Sequence, residues 1–472
     1  MNLKKVDLVV IGSGPGGYAA AFRASDLGRS VLLVEKDSVL GGVCLNRGCI
    51  PSKALLHISK VINDAEHLSD CGVKFEKPTI DISAIRQYKD KIVSKLNGGI
   101  SQMAKMRKVE TLHGSASFIS NTELLVKSKN QETKISFKDC IIASGSSSSM
   151  LPGIPKDSKL VLTSKTALEL ESVPNKLLII GGGIIGLELG QVYASLGSMV
   201  TVVEYLPSLV PGADSDIIKP LQRKLTKQFE SILLSSKVIK VTEIEKDKLS
   251  VKIENKNGVN EKVFDKVLVS VGRTPNIKNL ELQNTSVDLN EAGFIKVNEY
   301  QRTSVSSIYA IGDIIGNPML AHKATYQGKI AAEVASGHSA VYDVKAVPSV
   351  VYTDPEVAWA GITEKEAKEK EIPYEKGEFP WAASGKALIL NANQGKTKIL
   401  FNPENKQVLG VGIVGPSAGD LISEAMLAIE MGSDAEDIGL TMHPHPTLGE
   451  TMAAAAEVFT GTITDLYIPS KK

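Results

Sequence analysis

Two neighbouring cysteines are the residues whose types and spacing most clearly suggest chemistry. Cys44 and Cys49 lie in the run GGVCLNRGCIPSK at positions 41–53. Pro51 suits the first turn of a helix, and the helical pattern that continues over 54–62 places both cysteines at a helix N-terminus. The helix field and nearby cations stabilise thiolate over thiol at such a position. The pair is therefore predicted to carry out redox chemistry.

Zinc binding and a structural disulfide are the alternatives for this pair. Zinc needs two further Cys or His ligands, and His57 alone does not supply them. A structural disulfide is disfavoured in a reducing cytosol. The chain has only four cysteines, and the other two, Cys71 and Cys140, are expected to be buried and inert. Redox chemistry is favoured over both alternatives.

A second candidate group lies near the C-terminus, where residues 441–450 read TMHPHPTLGE. Two of the chain's seven histidines stand here beside two prolines, with an acid following. A rigid surface loop with solvated histidines is the alternative interpretation. Disulfide exchange, however, needs a base near neutral pH, and a carboxylate bonded to Nδ1 raises the basicity of imidazole. Because the thiols call for such a base, the catalytic interpretation is favoured.

Two copies of a strand, glycine turn and helix must position these groups. In the first copy, the apolar run VDLVVI at 6–11 indicates a buried parallel strand, which leads into a glycine turn and an alanine-rich helix. A second strand, over 30–34, ends at an acid. The residues of this dinucleotide-binding pattern are Gly12, Gly14, Gly17 and Glu35.

The second copy runs from a strand over 177–180 to a strand over 199–203. Its pattern residues are Gly181, Gly183, Gly186 and Glu204, with the acid at the same spacing from the first glycine as before. One such motif is weak evidence, but two copies in register predict two bound dinucleotides. Glu204 would repel a 2′-phosphate, and no arginine follows it at 205–207. NAD is therefore favoured over NADP.

Beyond residue 276 the repeated pattern of strand, glycine turn and helix ends. The run SIYAIGD at 307–313 predicts a short buried strand that delivers Asp313 into a turn, with an ordinary helix cap as the alternative for this acid. Alternating residues over 348–357 and 407–414, with helices near 363–370 and 418–431, predict an α+β domain. The predicted fold class is α/β, with two Rossmann-like dinucleotide-binding domains plus an α+β C-terminal domain.

The length of 472 residues predicts about three domains at roughly 150 residues each. The predicted segments are 1–148 and 276–346, which together form the first dinucleotide-binding domain, then 149–275 for the second and 347–472 for the C-terminal domain.

The chain has almost no net charge, because Lys and Arg number 54 and Asp and Glu number 53. It therefore has no overall electrostatic attraction for a polyanion such as nucleic acid. Neither a signal peptide nor a membrane span is recognised, and a cytoplasmic location is expected.

Together these motifs resemble those of the pyridine nucleotide-disulfide oxidoreductases. The likeness rests on GGVCLNRGCIPSKALLH and HPHPTLGET and runs from about residue 5 to 465. It implies that FAD binds the first unit and NAD the second. Cys44 would be the interchange thiol that faces the substrate, and Cys49 the charge-transfer thiol against the flavin. His445 would be the catalytic base and Glu450 its orienting partner, with His443 a neighbour that is not the base.

The resemblance implies further site residues. Lys53 would lie beside the flavin and pair with Glu188, although a helix-surface charge is the alternative for each. Ala116 stands where a glycine often approaches FAD, and Ser144 where the family usually has threonine, a change that keeps the hydroxyl. Asp313 would bind the FAD ribitol. The other implied cofactor-binding residues are Lys36, Gly42, Gly145, Val238, Gly272 and Ala321, and no metal ligand is implied.

The resemblance also implies partners and a reaction. The C-terminal domain would form a two-fold homodimer in which His445 acts on the disulfide of the other copy. The reaction would be oxidation of protein-bound dihydrolipoamide with reduction of NAD. The substrate would be carried on lipoyl domains attached to the acyltransferase core of a 2-oxoacid dehydrogenase complex, or on a glycine-cleavage complex. Neither nucleic acid nor a membrane is an expected partner.

Three other functions compete with this one. An NADPH-dependent reductase of glutathione or another small disulfide is opposed by Glu204 and by the missing arginines. Mercuric ion reduction is less favoured, because the last cysteine of the chain is Cys140 and no C-terminal cysteines follow. A purely structural component of a multienzyme complex is the third rival, and that role can coexist with catalysis.

Overall fold

The computed structural model of the protein describes residues 2–129, 131–245 and 247–468, in which helices alternate with strands. The elements up to residue 275 are β1 (Asn2–Ile11), α1 (Pro15–Asp26), β2 (Val31–Glu35), α2 (Gly42–Arg47), α3 (Cys49–His67), α4 (Ile82–Met106), β3 (Glu110–His113), β4 (Ser115–Ser120), β5 (Glu123–Lys127), β6 (Glu132–Ile142), β7 (Ser146–Ser148), β8 (Val161–Leu162), α5 (Ser164–Glu169), β9 (Lys176–Ile180), α6 (Ile184–Ser195), β10 (Met199–Val203), α7 (Ser215–Gln228), β11 (Ser231–Leu233), β12 (Lys237–Ile244), β13 (Lys248–Asn255), β14 (Gly258–Phe264), β15 (Lys266–Val269) and β16 (Arg273–Pro275).

The remaining elements are β17 (Ile308–Ala310), α8 (Ala321–Ala335), β18 (Ser349–Val351), β19 (Glu356–Gly361), α9 (Glu364–Glu369), β20 (Glu375–Pro380), α10 (Gly385–Ile389), β21 (Lys396–Phe401), β22 (Val408–Gly415), α11 (Ala418–Met431), α12 (Ala435–Leu440) and α13 (Glu450–Thr460). Single 3-10 turns lie at Leu68–Cys71, Lys278–Leu280, Leu282–Asn284, Gly312–Ile315 and Trp381–Ala383. The predicted α/β class is confirmed.

The first sheet has seven strands and draws on two distant parts of the chain. Its path is β3-β2-β1-β6-β5-β4, and β17 pairs with β6 from outside this path. β1 pairs in parallel with β2 and β6, in a register that sets Ile11 beside Val34 and Ile142. The prediction of a strand over 6–11 was wrong about the residue at which the strand begins. It begins at Asn2, because residues 2–6 continue the pairing with β6 beyond the buried apolar run.

The second sheet has five parallel strands in the order β11-β10-β9-β15-β8. The antiparallel strands β12, β13 and β14 form a separate three-stranded sheet, which contacts β9 and β15. A two-stranded ribbon of β7 and β16 lies where the chain crosses between the first and second sheets. The strand predicted over 199–203 coincides with β10.

The C-terminal sheet is antiparallel, in the order β18-β19-β22-β21-β20. Helices α11 and α13 pack on it, and the helix predicted over 418–431 coincides with α11. Trp381, Phe401 and Met452 are buried in its core, and the rings of Phe401 and Phe459 stack with centroids 4.4 Å apart. This arrangement of helices against an antiparallel sheet matches the predicted α+β domain.

A buried charge cluster joins α7 to the C-terminal sheet. Lys398 on β21 is 1 % exposed, and its Nζ lies 2.8 Å from carboxylate oxygens of Asp214, Asp216 and Glu364. Asp214 also accepts the backbone N–H groups of Glu364 and Lys365 at the start of α9. The three carboxylates are close enough to hold a cation, and the lysine ammonium takes that position.

The four predicted domain segments stay predictions. Their boundaries fall after β7, after β16 and in the connection between α8 and β18. In the part of the chain that the structure describes, no helix has both the length and the apolar composition needed to cross a membrane.

Candidate active site

One large cleft runs between the first and second sheets and reaches the start of the C-terminal sheet. Its volume is about 2620 Å³, whereas a site for one small ligand usually occupies about 300–1,000 Å³. The cleft therefore has room for two dinucleotides and a substrate. Both glycine turns and both motif cysteines line it.

The first glycine turn forms an open cradle at the N-terminus of α1. Gly12 has φ +98, a left-handed conformation that favours glycine, and Gly14 caps the helix with no side-chain hydrogen bond. A Cβ added at Gly14 would meet nothing within 4 Å, whereas one at Gly17 would lie 1.8 Å from the Gly12 carbonyl oxygen. The first turn of α1 lines the cleft, and its free N–H groups begin at Gly16 because Pro15 has none. Such a helix N-terminus fits a pyrophosphate.

The second glycine turn repeats this geometry at the N-terminus of α6. Gly181 has φ +107, and Gly183 caps the helix without a side-chain hydrogen bond and meets nothing within 4 Å. Gly186 differs from the expectation, because it does not line the cleft. A Cβ there would lie 2.2 Å from the Gly181 carbonyl oxygen. Gly186 therefore allows α6 to pack close to the turn rather than contacting a ligand.

The two acids of the repeated pattern have equivalent hydrogen bonds. Oε2 of Glu35 accepts the Ser13 N–H at 2.8 Å, and Oε2 of Glu204 accepts the Gly182 N–H at 2.7 Å. The other oxygen of each accepts a backbone N–H two residues on, at 2.9 Å for Glu35 and 2.7 Å for Glu204. Both acids are buried and line the cleft. Each one braces its glycine turn and leaves a carboxylate at the cleft wall.

The remaining predicted cofactor residues all line the cleft: Lys36, Gly42, Ala116, Ser144, Gly145, Val238, Gly272, Asp313 and Ala321. Ala321 is the first residue of α8, whose N-terminus has no side-chain cap. Ser144 donates its hydroxyl to the Asn276 carbonyl at 3.0 Å, and the Asn276 amide donates to the Ser144 carbonyl at the same distance. This pair fixes the crossing between the first and second sheets.

Asp313 lies inside a short network at that crossing. The Ser146 hydroxyl donates to its carboxylate, and Arg273 donates Nε to the Ser146 hydroxyl at 2.6 Å. Asp313 is the second residue of its 3-10 turn and not the cap, which is Ile311. The helix-cap alternative is therefore not what the structure shows, and the carboxylate remains at the cleft wall.

The two motif cysteines lie on separate helices, not at the start of one helix as predicted. Cys44 lies within the short α2, and Cys49 is the first residue of α3. Gly48 separates them with φ −146 and ψ −115. A Cβ at Gly48 would lie 2.9 Å from the Val43 carbonyl oxygen, so a glycine is needed where the chain doubles back. This break lets the two thiols meet.

Both thiols are free, and their pKa values shift in opposite directions. The Cys44 thiol donates a hydrogen bond to the Cys49 sulfur, and this bond together with burial raises the pKa of Cys44. The same bond and the Lys53 ammonium lower the pKa of Cys49 to about 7, against burial and the nearby Glu188 carboxylate. Of the pair, Cys49 therefore forms a thiolate more readily than Cys44.

Lys53 forms the predicted pair with Glu188. Its Nζ lies 2.8 Å from Oε2 of Glu188, which is 3 % exposed on α6. Tyr352, just after β18, donates its backbone N–H to the other oxygen of Glu188 at 3.0 Å. The Lys53 ammonium also lies 4.4 Å from the centre of the Tyr352 ring. The helix-surface alternative is excluded for both charges.

The predicted base and its acid lie apart from the cleft. His445 Nδ1 is 2.8 Å from Oε1 of Glu450, and the His445 side chain is 80 % exposed. Neither residue is among the described residues that line the cleft. His443 is held instead between the Thr441 carbonyl and Glu424, each at 2.8 Å, with its side chain 9 % exposed. Of these two histidines, only His445 has an exposed ring.

Sequence reasoning missed several residues of the site. Tyr352 and Ser13 line the cleft and hold the predicted acids, and His322 follows Ala321 at the start of α8. The position of Ser13 inside the first glycine turn was the available signal for it, whereas nothing in the sequence pairs Tyr352 with Lys53. Cys140 is buried as expected, but the expectation was wrong for Cys71, which is exposed at the end of a 3-10 turn after α3.

Comparison with known proteins identifies the family of this chain and proteins similar to it. The family model described as pyridine nucleotide-disulphide oxidoreductase matches residues 6–328, and the dimerisation domain of the same family matches residues 347–456. A dihydrolipoyl dehydrogenase of Vibrio parahaemolyticus is 50% identical over 469 residues, covering 99% of this chain and 98% of the relative. One from Bacillus subtilis is 42% identical and covers 97% of each chain.

A solved structure of another protein has a similar fold. The Cu(II) complex of the HOCl-induced flavoprotein disulfide reductase RclA from Escherichia coli superposes with a TM-score of 0.85 at 25% sequence identity. The match covers 97% of this chain and 100% of that one. The fold is therefore shared with a flavoprotein disulfide reductase over 97% of this chain.

Proposed function

The chain belongs to the pyridine nucleotide-disulphide oxidoreductase family, and we propose that it catalyses the dihydrolipoyl dehydrogenase reaction. In this reaction a dihydrolipoyl dithiol is oxidised to the cyclic disulfide, FAD is the intermediate carrier, and NAD is reduced to NADH. The full-length similarity to dihydrolipoyl dehydrogenases supports this activity. The observation that carries the proposal is the Cys44 and Cys49 pair, which lines one cleft with two dinucleotide cradles.

The two thiols take different parts in the exchange. With the pair oxidised to a disulfide, one thiolate of the dihydrolipoyl group attacks the Cys44 sulfur, and the Cys49 sulfur leaves as a thiolate. The second substrate thiol then displaces Cys44 and closes the lipoyl disulfide. Two protons leave the substrate, of which Cys44 keeps one. The low pKa of Cys49 makes it the better leaving group, so attack at Cys44 is favoured.

The cofactors fit the two cradles. The α1 turn with Glu35 and Asp313 would hold FAD, with the further contacts proposed for Lys36, Gly42, Ala116, Ser144, Gly145 and Ala321. The α6 turn with Glu204, Val238 and Gly272 would hold NAD. Bound FAD supplies a two-electron acceptor for the Cys49 thiolate and a hydride donor for NAD. Lys53 offsets negative charge at the Cys49 end of the cleft, and Glu188 fixes the ammonium.

A base is needed to take the substrate proton, and His445 is proposed for this role with Glu450 as its orienting partner. The chain has the dimerisation domain of its family, which supports a homodimer. Because His445 is exposed and lies off the cleft of its own chain, we propose that it completes the cleft of a second copy. Each dimer would then contain two equivalent sites built from both copies.

The proposed substrate carrier is a lipoyl domain, attached to the acyltransferase core of a 2-oxoacid dehydrogenase complex or to a glycine-cleavage complex. For this carrier to react, the cleft must admit a long lipoyl arm as far as the partly exposed Cys44. A cytoplasmic location remains part of the proposal, since a reducing compartment suits a thiol pair that turns over instead of a permanent disulfide.

The test uses purified protein, dihydrolipoamide and either NAD or NADP. A yellow protein with a flavin spectrum and NADH formation that depends on dihydrolipoamide is expected. NADP is expected to support turnover about 10²-fold less well, because Glu204 opposes a 2′-phosphate. No NADH formation from NAD would contradict the proposed function.

A further inference from the structure

Three separate parts of the fold converge on the ammonium of Lys53. Lys53 itself lies on α3, one turn after Cys49. Glu188 reaches it from α6, which belongs to the second sheet, at 2.8 Å. Tyr352 reaches it from the C-terminal sheet, with the ring centre 4.4 Å from Nζ. The ammonium is therefore held between a carboxylate and an aromatic face.

Tyr352 contributes to this junction in two distinct ways. Its backbone N–H binds Oε1 of Glu188 at 3.0 Å, which leaves Oε2 of the same carboxylate for Lys53. Its ring lies within the distance at which a cation is attracted to an aromatic face. The backbone contact does not depend on the side chain at 352, but the ring contact does. A substitution at 352 therefore tests the ring alone.

We propose that Tyr352 is a positioning residue whose ring holds the Lys53 ammonium beside the Cys49 sulfur and so sets how readily Cys49 forms a thiolate. This inference rests on the proposed function, in which Cys49 is the thiolate that faces the flavin. The Lys53 side chain is 33% exposed. Without the ring, the ammonium gains freedom to turn toward solvent, and the buried Glu188 carboxylate near Cys49 loses part of its compensation.

The other charged and titratable groups around Cys49 are fixed by different contacts. Cys44 meets it from α2 by the thiol hydrogen bond, and Arg273 faces it from β16 while bonded to Ser146. Burial and the Glu188, Glu356 and Cys49 charges raise the pKa of Tyr352, so its hydroxyl stays neutral. Of these groups, Lys53 alone depends on the ring of Tyr352.

The test uses flavin-loaded enzyme carrying Cys44→Ser, in which Cys49 cannot form the disulfide and its thiolate gives a long-wavelength charge-transfer absorbance with oxidised FAD. The absorbance is titrated against pH in this background alone and with Tyr352→Phe, Tyr352→Leu or Tyr300→Leu. Tyr300 is the matched control, because it is as exposed as Tyr352, at 40 %.

The ring-removing variant Tyr352→Leu is expected to raise the midpoint by about 0.5–1 pH unit. Tyr352→Phe keeps the ring and is expected to keep the midpoint, as is Tyr300→Leu. An unchanged midpoint in Tyr352→Leu, or an equal rise in Tyr352→Phe, would overturn the inference.

Two further outcomes of the experiment also decide the inference. If Tyr352→Leu loses its flavin, the pH dependence of iodoacetamide alkylation at Cys49, followed on the peptide by mass spectrometry, must show the same upward shift for the inference to stand. If Cys44→Ser alone shows no charge-transfer absorbance at any pH, the thiolate does not face the flavin. The proposed function is then contradicted and the inference fails with it.

Discussion

Nδ1 of His445 lies 2.8 Å from Oε1 of Glu450, and Oε2 of the same carboxylate accepts the Thr447 N–H at 2.7 Å. Burial opposes the charge of Glu450, but the Thr447 and His445 hydrogen bonds lower the pKa of this carboxyl below its usual range. Glu450 therefore stays ionised near neutral pH, and the histidine is held with Nε2 available for a proton.

Replacing the base should slow turnover strongly and change the free energy of unfolding little. His445→Gln is expected to lower kcat by about 10²–10⁴-fold, because no other group takes the substrate proton. Glu450→Gln should have a smaller effect of the same kind. The measurement is steady-state NADH formation from dihydrolipoamide. His443→Gln is the matched control, since His443 is buried between Thr441 and Glu424. An equal loss of kcat in this control would contradict the assignment.

Mixed dimers should recover activity if each site uses residues of two copies. Cys49→Ser and His445→Gln homodimers are both expected to be nearly inactive. A heterodimer of the two would contain one site with Cys49 from one copy and His445 from the other. After unfolding and refolding an equal mixture, roughly a quarter of the wild-type activity is expected from random pairing. Activity no higher than that of the separate variants would show that His445 acts within its own chain.

The choice of NAD over NADP should depend on the charge of Glu204. Glu204→Gln keeps an acceptor for the Gly182 or Leu206 N–H but removes the charge that opposes a 2′-phosphate. It is expected to lower kcat/KM for NAD by about 10-fold and to raise that for NADP by a similar factor. The two kcat/KM values are measured at a fixed salt concentration. An unchanged ratio of the two would show that Glu204 does not discriminate.

The Lys398 cluster should be a major source of stability. Lys398→Met removes the buried cation that three half-buried carboxylates share, and leaves Asp216 and Glu364 only the more exposed Lys396 and Lys376. The free energy of unfolding should therefore fall by about 3–5 kcal/mol. Urea unfolding of the apoprotein and holoenzyme measures this change. Lys365→Ala is the control, because Lys365 forms an exposed pair with Glu369 and should cost less than about 0.5 kcal/mol. A loss that small for Lys398→Met would contradict the role of the cluster.

The same cluster predicts a defined loss of stability in acid. Burial opposes the charge of Glu364, but hydrogen bonds from Lys398 and the Tyr374 hydroxyl lower its pKa to about 2. A depressed pKa in the folded state stabilises the fold above the ordinary pKa of the group. This contribution is lost as the pH falls from the ordinary value toward about 2. In Glu364→Gln, the unfolding free energy should fall less steeply over that range, and an unchanged slope would be the contrary result.

Local sequence patterns predicted the parts of the site that local structure determines. The glycine turns and the acids Glu35 and Glu204 follow from strands, turns and helices that are contiguous in the chain. The break at Gly48 was missed because a glycine inside a helical pattern is also tolerated, and only the approach to the Val43 carbonyl shows why it is required.

Contacts between distant segments set the limit of prediction. Lys53 and Glu188 were paired through the family resemblance, because no local pattern links α3 to α6. Tyr352 was missed for the same reason, since its ring and its backbone N–H meet the pair only after three segments have packed together. The exposure of Cys71 likewise depends on where α3 ends, which the sequence pattern did not define.

Labelling of the cysteines tests most directly whether electrons pass through Cys44 and Cys49. The oxidised enzyme, without NAD, is mixed anaerobically with excess dihydrolipoamide, quenched, alkylated and digested for mass spectrometry. Before reduction, Cys71 should be labelled and Cys44 and Cys49 should be joined as a disulfide. After reduction, both Cys44 and Cys49 should be labelled. Unchanged labelling of these two positions, with NADH still formed when NAD is added, would contradict the account.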